Sequence, residues 1–210
     1  MHRSLRPALS ALALALLLAA GTAAARPAIV AHAGVASANL HCDPLTSDAR
    51  EGLAVGAGVD LPLGGQWHLT PELWYVSKGF QGGTLWEILI LEMKADVVSV
   101  PVLLSYHFPA ERVDPRAFVG LATDVLVKAE TRREGRGWVD VLDETDTFSW
   151  TLVVGGGVRK GRWDAEVRYL QGLTAVTDFD YGDFDDMISE YRKFKDATDT
   201  TWVLSLGVWF

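Results

Sequence analysis

The chain has a single cysteine, Cys42, in 210 residues. An exported chain with one cysteine has no internal disulfide. Nor is Cys42 placed to carry a lipoprotein's lipid. That cysteine would directly follow a leader's apolar run, whereas Cys42 lies well downstream in Asn39-Leu40-His41-Cys42 and reads as a lone thiol in a loop. Beyond the N-terminus no stretch offers about 18 uninterrupted apolar residues, so helical membrane spans are not expected. Basic residues are in deficit: 19 Lys and Arg stand against 27 Asp and Glu, a net charge of −8. A nucleic-acid partner requires a basic face, and none is expected. No cofactor motif is legible.

The N-terminus, Met1-His2-Arg3-Ser4-Leu5-Arg6, leads into an apolar run from Ala8 to Ala20, then Ala23-Ala24-Ala25 and Arg26-Pro27. A basic start, a short apolar middle and small residues at the end describe a secretory signal peptide. The apolar run is about 13 residues long, short of the ~20 that a helical span needs. Cleavage after Ala25 is therefore expected rather than an uncleaved anchor, leaving 1–25 as leader and 26–210 as one domain. Losing the leader's two arginines takes the net charge from −8 to −10.

The remainder is written in period two, the signature of half-buried strands. In Gly52 to Leu61, Leu53, Val55, Ala57, Val59 and Leu61 share one face, and Ala54, Gly56, Gly58 and Asp60 the other. Pro62-Leu63-Gly64-Gly65 makes a tight turn. Further strands are predicted over about 29–40, 67–78, 97–108, 116–128, 148–159 and 163–172. In the last strand Trp202, Leu204, Leu206, Val208 and Phe210 share one face, bringing the count to eight. Connections alternate between short (64–65, 109–115, 160–161) and longer (41–51, 79–96, 129–147, 173–199). Short turns on one rim and long loops on the other is the pattern of outer-membrane barrels, and it puts both termini on the periplasmic side.

Alternation alone fits a soluble barrel equally well. Residue type decides the phase. In water the second face should be rich in Lys and Glu; here it is mostly Gly, Ala, Ser and Thr with sparse charges, suited to the crowded lumen of an eight-stranded barrel. The apolar face then meets lipid. Its aromatics lie near strand ends (Tyr75, Tyr106, Phe108, Tyr169, Trp202, Phe210), as interfacial girdles do. The expected fold is an all-β, eight-stranded, antiparallel up-and-down transmembrane barrel, closed because lipid offers a sheet edge no hydrogen-bond partners.

Three segments carry a family resemblance. Pro71-Glu72-Leu73-Trp74-Tyr75-Val76-Ser77-Lys78-Gly79 resembles a third-strand P-E-L-x-Y-x-x-K-G. Val100-Pro101-Val102-Leu103-Leu104-Ser105-Tyr106 is similar to a fourth-strand I-P-L-L-L-K-Y, and Glu166-Val167-Arg168-Tyr169 with Gly172-Leu173 to a seventh-strand E-L-R-Y-x-x-G-L. In that order, with Pro62-Leu63, they resemble the PorT-like outer-membrane β-barrel family. The resemblance implies fold and location; it does not imply one activity, and the secretion role of the family's name-giving member is not carried over. Ser105 departs from the pattern, which has a basic residue there. The final aromatic of Trp202, Leu204, Leu206, Val208 and Phe210 resembles the C-terminal signal such barrels present to their assembly machinery.

On this phase Glu72, Lys78, Asp124, Lys128, Glu166 and Arg168 point inward. Charges in a narrow lumen must be paired, because desolvation is costly, so an interior salt-bridge network that plugs the barrel is expected ahead of a polar pathway. Ser105 and His107 share a face and raise a lipid-hydrolase reading, but nucleophilic catalysis needs a Ser–His contact and an orienting group, and a lumen-facing pair does not reach lipid. No catalytic residue is assigned. Asp178, Asp180, Asp183, Asp185 and Asp186 could attract Ca²⁺, but Gly182 stands where an EF-hand order needs a ligand, so a solvated loop is expected and no metal site is assigned. Phe184, Met187, Ile188 and Tyr191 follow helical spacing after Asp183, predicting a short amphipathic helix at the outer rim. The reading is a non-enzymatic outer-membrane protein, with a narrow solute channel and a lipid-modifying hydrolase as alternatives. The partners implied are outer-membrane lipid and lipopolysaccharide, the barrel-assembly machinery and an extracellular or secretion partner.

Overall fold

A computed structural model describes residues 27–41, 46–85, 89–133, 137–140, 142, 147–174 and 198–210. The leader, Cys42, the Asp178–Asp186 cluster and the helix expected after Asp183 all lie outside them. Among the described residues no helix is long and apolar enough to cross a membrane. The chain forms β1 (Ala28–His41), β2 (Thr46–Gly64), β3 (Trp67–Leu85), β4 (Leu89–His107), β5 (Asp114–Arg133), the two-residue β6 (Val139–Asp140), β7 (Phe148–Lys160), β8 (Trp163–Gly172) and β9 (Thr198–Trp209).

Each long strand pairs antiparallel with its neighbours in sequence; β5 pairs β7, with β6 attached as a short rider on β5. Closure comes from β9 against β1, from Val30↔Trp209 to His41↔Thr198. The result is a closed, eight-stranded antiparallel barrel, in which each of the eight long strands pairs with a neighbour on both sides. The β2–β3 turn is tight because Gly64 and Gly65 take positive φ (129° and 61°), a region that L side chains avoid.

The two faces sort as the residue types demand. Outside stand Val35, Leu53, Leu73, Val119, Leu121, Val154, Leu204 and Leu206, the last 67% exposed. Inside, small residues make room for a few large ones. A Cβ on Gly56 would lie 2.3 Å from the Trp74 ring, so Trp74 fits the lumen only because position 56 has no side chain. Ala36, Ala54, Val76, Leu103, Phe118, Ala122, Val153, Leu170 and Val203 complete the inner cluster with Trp74. Pro71 sits buried within β3 opposite Val102.

Three expectations are corrected. The segment 79–96, read as a long loop, is mostly strand: pairing runs from Gly79↔Lys94 to Leu85↔Leu89. Likewise β2 begins at Thr46 and β5 reaches Arg133, inside segments read as loops. Period two hid these extensions because bulges interrupt it, between Phe80 and Gly83 and between Ala49 and Ala54. The strands β2 to β5 thus run 19–20 residues, about twice the 9–11 that a tilted spanning strand needs. They are neighbours in the sheet, so one side of the barrel wall continues well past the other at the long-loop end.

Candidate functional site

Alternation turns every second side chain inward, and the barrel gathers the polar ones among them into three tiers. In the middle tier Arg168 of β8 is nearly fully buried. It donates Nη1 to Glu72 Oε2 at 2.5 Å, Nη2 to Glu72 Oε1 at 3.0 Å, and Nε to Glu166. Its guanidinium lies 4.3 Å from the Trp74 ring centroid, and Trp74 Nε1 donates to Glu72 Oε2 at 2.7 Å. Arg116 of β5 makes a fork to Asp164 (2.8 and 2.6 Å) and reaches Glu166 at 2.7 Å. Planar guanidinium groups satisfy carboxylates bidentately, which suits arginine to this dry setting.

Toward the long-loop end, Lys78 Nζ is held between Asp124 Oδ2 and Asp199 Oδ2, each at 3.1 Å, and Thr151 Oγ1 donates to Asp124 at 2.9 Å. Toward the short turns, His68 Nδ1 lies 2.7 Å from Asp60 Oδ2, and Thr70 donates to Asp60 Oδ1 at 3.1 Å. His107 Nδ1 faces Asp114 at 3.0 Å, and Arg159 donates to the same carboxylate at 2.5 Å.

Of the interior charges expected from sequence, Glu72, Lys78, Asp124, Glu166 and Arg168 are buried and ion-paired inside the barrel. Lys128 is not. Pairing passes from Val97↔Leu126 to Asp96↔Lys128, a bulge that inserts Val127 and reverses the facing of everything beyond it. Lys128 turns outward, its side chain 53% exposed and paired with Glu130 at 3.0 Å, while Ala129 turns inward. Sequence reading missed His32, Asp60, His68, Arg116, Asp114, Asp164 and Asp199 as members of the interior network. The signal was present, because Asp60, His68 and Asp164 continue the inner face of their strands toward the rim.

The middle tier leaves little free space. The void among Asp60, Thr70, Glu72, Ser105, Arg116 and Glu166 measures about 10 Å³, the lower limit for one water. Ser105 is buried and its hydroxyl donates to the His68 carbonyl at 3.5 Å, while the His107 Nδ1 is taken by Asp114. No Ser105–His107 hydrogen bond is formed among the described residues.

At the long-loop end the extended wall carries a second cluster. Trp138 lies under three cations: Lys94 Nζ at 3.8 Å, and the Arg132 and Arg50 guanidinium carbons at 4.9 and 5.7 Å from its ring centroid. Arg132 is bound by Glu92 at 2.7 Å. Phe80, Met93 and Ala129 form a small buried core in the same extension.

The outward aromatics fall in two rings. Trp67, Tyr106 and Phe108 contact edge to face near the short turns; at the other side Phe148–Trp150 does so and Tyr169–Trp202 meet at a tilt of 54°. From Trp67 to Tyr75, or from Trp202 to Phe210, is eight residues. That is about 26 Å of strand and about 20 Å of height at the usual tilt, close to the ~25 Å apolar band of spanning barrels.

The sequence matches the family described as outer membrane protein beta-barrel domain over residues 28–178. No curated protein matches it. Among solved structures it is similar to Ail, the attachment invasion locus protein of Yersinia pestis: 14% identity, TM-score 0.48, covering 89% of this chain and 100% of that one. It is also similar to Neisserial surface protein A, with 12% identity, TM-score 0.48, and 86% and 97% coverage. A third is the N-terminal β-barrel domain of Pseudomonas aeruginosa OprF, with 10% identity, TM-score 0.39, and 87% and 97% coverage. At these identities the likeness concerns fold alone.

Proposed function

The chain belongs to the outer membrane protein β-barrel domain family, and on that premise we propose that it is a non-enzymatic, non-conducting outer-membrane protein that presents an interaction surface outside the cell. The observation that carries this reading is the pairing of a plugged lumen with a one-sided extension of the wall. Ion pairs cross the barrel from Lys78 to Asp114; a cavity of about 70 Å³ opens beside Lys78 at the long-loop end, but below it the pairs around Glu72, Arg116 and Glu166 leave only about 10 Å³, which argues against a solute pathway. Meanwhile β3 continues about ten residues beyond Tyr75, or roughly 33 Å of strand, past the aromatic ring that marks one interface. A wall carried that far beyond lipid, with a cationic–aromatic cluster at Trp138, has its purpose in contact with something outside.

In this reading the leader is removed after Ala25, both termini and the short turns face the periplasm, and the outward apolar band is solvated by outer-membrane lipid with lipopolysaccharide at its outer leaflet. Trp202, Leu204, Leu206, Val208 and Phe210 serve as the signal to the assembly machinery; Phe210 is 78% exposed, with its amide held by the Ile29 carbonyl at 2.9 Å. The segments of β3, β4 and β8 quoted above make the PorT-like branch the finer assignment.

Two measurements test the proposal together. Protein reconstituted in planar bilayers is expected to give no single-channel steps; discrete steps would replace this reading with the narrow channel. On intact cells, a biotinylating reagent is expected to label Lys94 and not Lys160. The reverse pattern would invert the orientation.

A further inference from the structure

We propose that Asp60, His68 and His107 form a binding site for a divalent transition-metal ion of the zinc class at the short-turn end of the barrel. The three come from adjacent strands, β2, β3 and β4, and each offers one ligand atom; these atoms all lie within 4.8 Å of one another. Ligands of tetrahedral zinc, at about 2.0–2.1 Å from the ion, sit about 3.4 Å apart, so a small contraction closes the set. The two imidazoles stack with centroids 3.9 Å apart and planes 23° from parallel, so binding an ion would also turn His68 until its in-plane lone pair converges with that of His107.

Three independent features point to a cation. First, His107 Nε2 is buried and has no hydrogen-bond partner. Its Nδ1 faces Asp114 at 3.0 and 3.1 Å; a carboxylate only accepts, so Nδ1 carries the proton and Nε2 presents its lone pair. A histidine whose far nitrogen is anchored by a carboxylate is the usual outer support of a metal ligand. Second, Asp60 is 4% exposed, and among the described residues no lysine or arginine pairs with it; its partners are the Thr70 hydroxyl and His68. The nearby arginines are committed elsewhere, Arg159 to Asp114 and Arg116 to Asp164 and Glu166. A buried carboxylate in that position gains most from a cation beside it. Third, two imidazoles and one carboxylate suit zinc, copper or nickel rather than Mg²⁺ or Ca²⁺, which take oxygen ligands. Three protein ligands leave a fourth position for water, reached from the rim, where His68 is partly exposed. The neighbouring group of His32, Asp164 and Glu166 is less suited, because Arg116 already neutralises both carboxylates.

The ion would tie three strands together at the end where the chain turns. The test uses tag-free, refolded full-length barrel, stripped with EDTA and titrated with Zn²⁺, and separately with Co²⁺ for its visible d–d absorption. One equivalent per chain is expected, with a cobalt spectrum of mixed nitrogen and oxygen ligation. His107→Gln and Asp60→Asn are each expected to lower affinity at least tenfold while the heat-dependent gel shift of the folded barrel persists. Asp114→Asn, which removes only the outer support, should lower it by roughly ten- to a hundredfold. A readout that needs no variant is chemical modification of the wild type: Zn²⁺ should protect His68, the partly exposed ligand at the rim, from diethyl pyrocarbonate. Absence of stoichiometric binding, or binding that leaves His68 unprotected, overturns the proposal and places any zinc elsewhere on the chain.

Discussion

Replacing Arg168 with methionine removes the central cation of the lumen while keeping a flexible side chain of similar reach. Three groups lose a partner. Glu166 retains Arg116 at 2.7 Å and is little affected. Trp74 loses the guanidinium 4.3 Å from its ring, worth about 0.5–2 kcal/mol. Glu72 is the principal loss: it is 5% exposed, and among the described residues its one remaining donor is the Trp74 indole at 2.7 Å. Stranding one member of a buried pair typically costs about 3–5 kcal/mol, so R168M should destabilise the barrel by about that much. Glu72→Gln alone should cost less, about 1–3 kcal/mol, because Arg168 keeps Glu166. In the double variant neither charge is stranded, and its loss should fall short of the sum of the singles by about 2 kcal/mol. The assay is urea unfolding of the barrel in lipid vesicles, followed by tryptophan fluorescence and by the gel shift between unheated and boiled samples. If R168M moves stability by less than about 1 kcal/mol, or if the single effects simply add, the two groups are not paired and the plugged-lumen argument fails.

Leu206→Arg on the outward face of β9, midway between Trp202 and Phe210 and 67% exposed, should destabilise insertion by about 2–4 kcal/mol in vesicle refolding. A neutral result would mean that this face does not meet hydrocarbon. Gly56→Val should cost at least about 1–3 kcal/mol through overpacking, since its Cβ would fall 2.3 Å from Trp74; pairing it with Trp74→Leu should recover part of the loss in the same assay. Lys128→Gln should leave stability within about 0.5 kcal/mol, as an exposed ion pair contributes little; a large loss would return Lys128 to the interior.

The barrel itself was legible in the chain. Strict alternation in β1, β7, β8 and β9, the small residues on one face and the apolar ones on the other fix strand identity and phase together, because a lumen tolerates little side-chain volume and lipid tolerates little charge. Glu72, Lys78, Asp124, Glu166 and Arg168 could be placed inward for the same reason, since no bulge intervenes between them and the strand centres. What the chain could not reveal is where alternation is broken. A single extra residue at Val127 turns Lys128 from the lumen to the outside, and a bulge is a property of two paired strands rather than of either one. The same holds for the long ladder from Gly79 to Leu85, whose partner strand begins only at Leu89. The pairings between distant residues, Glu72 with Arg168, Lys78 with Asp199 and His68 with His107, belong wholly to the tertiary structure. Closure of β9 onto β1 decides which inward side chains meet across the lumen, and no local spacing encodes that.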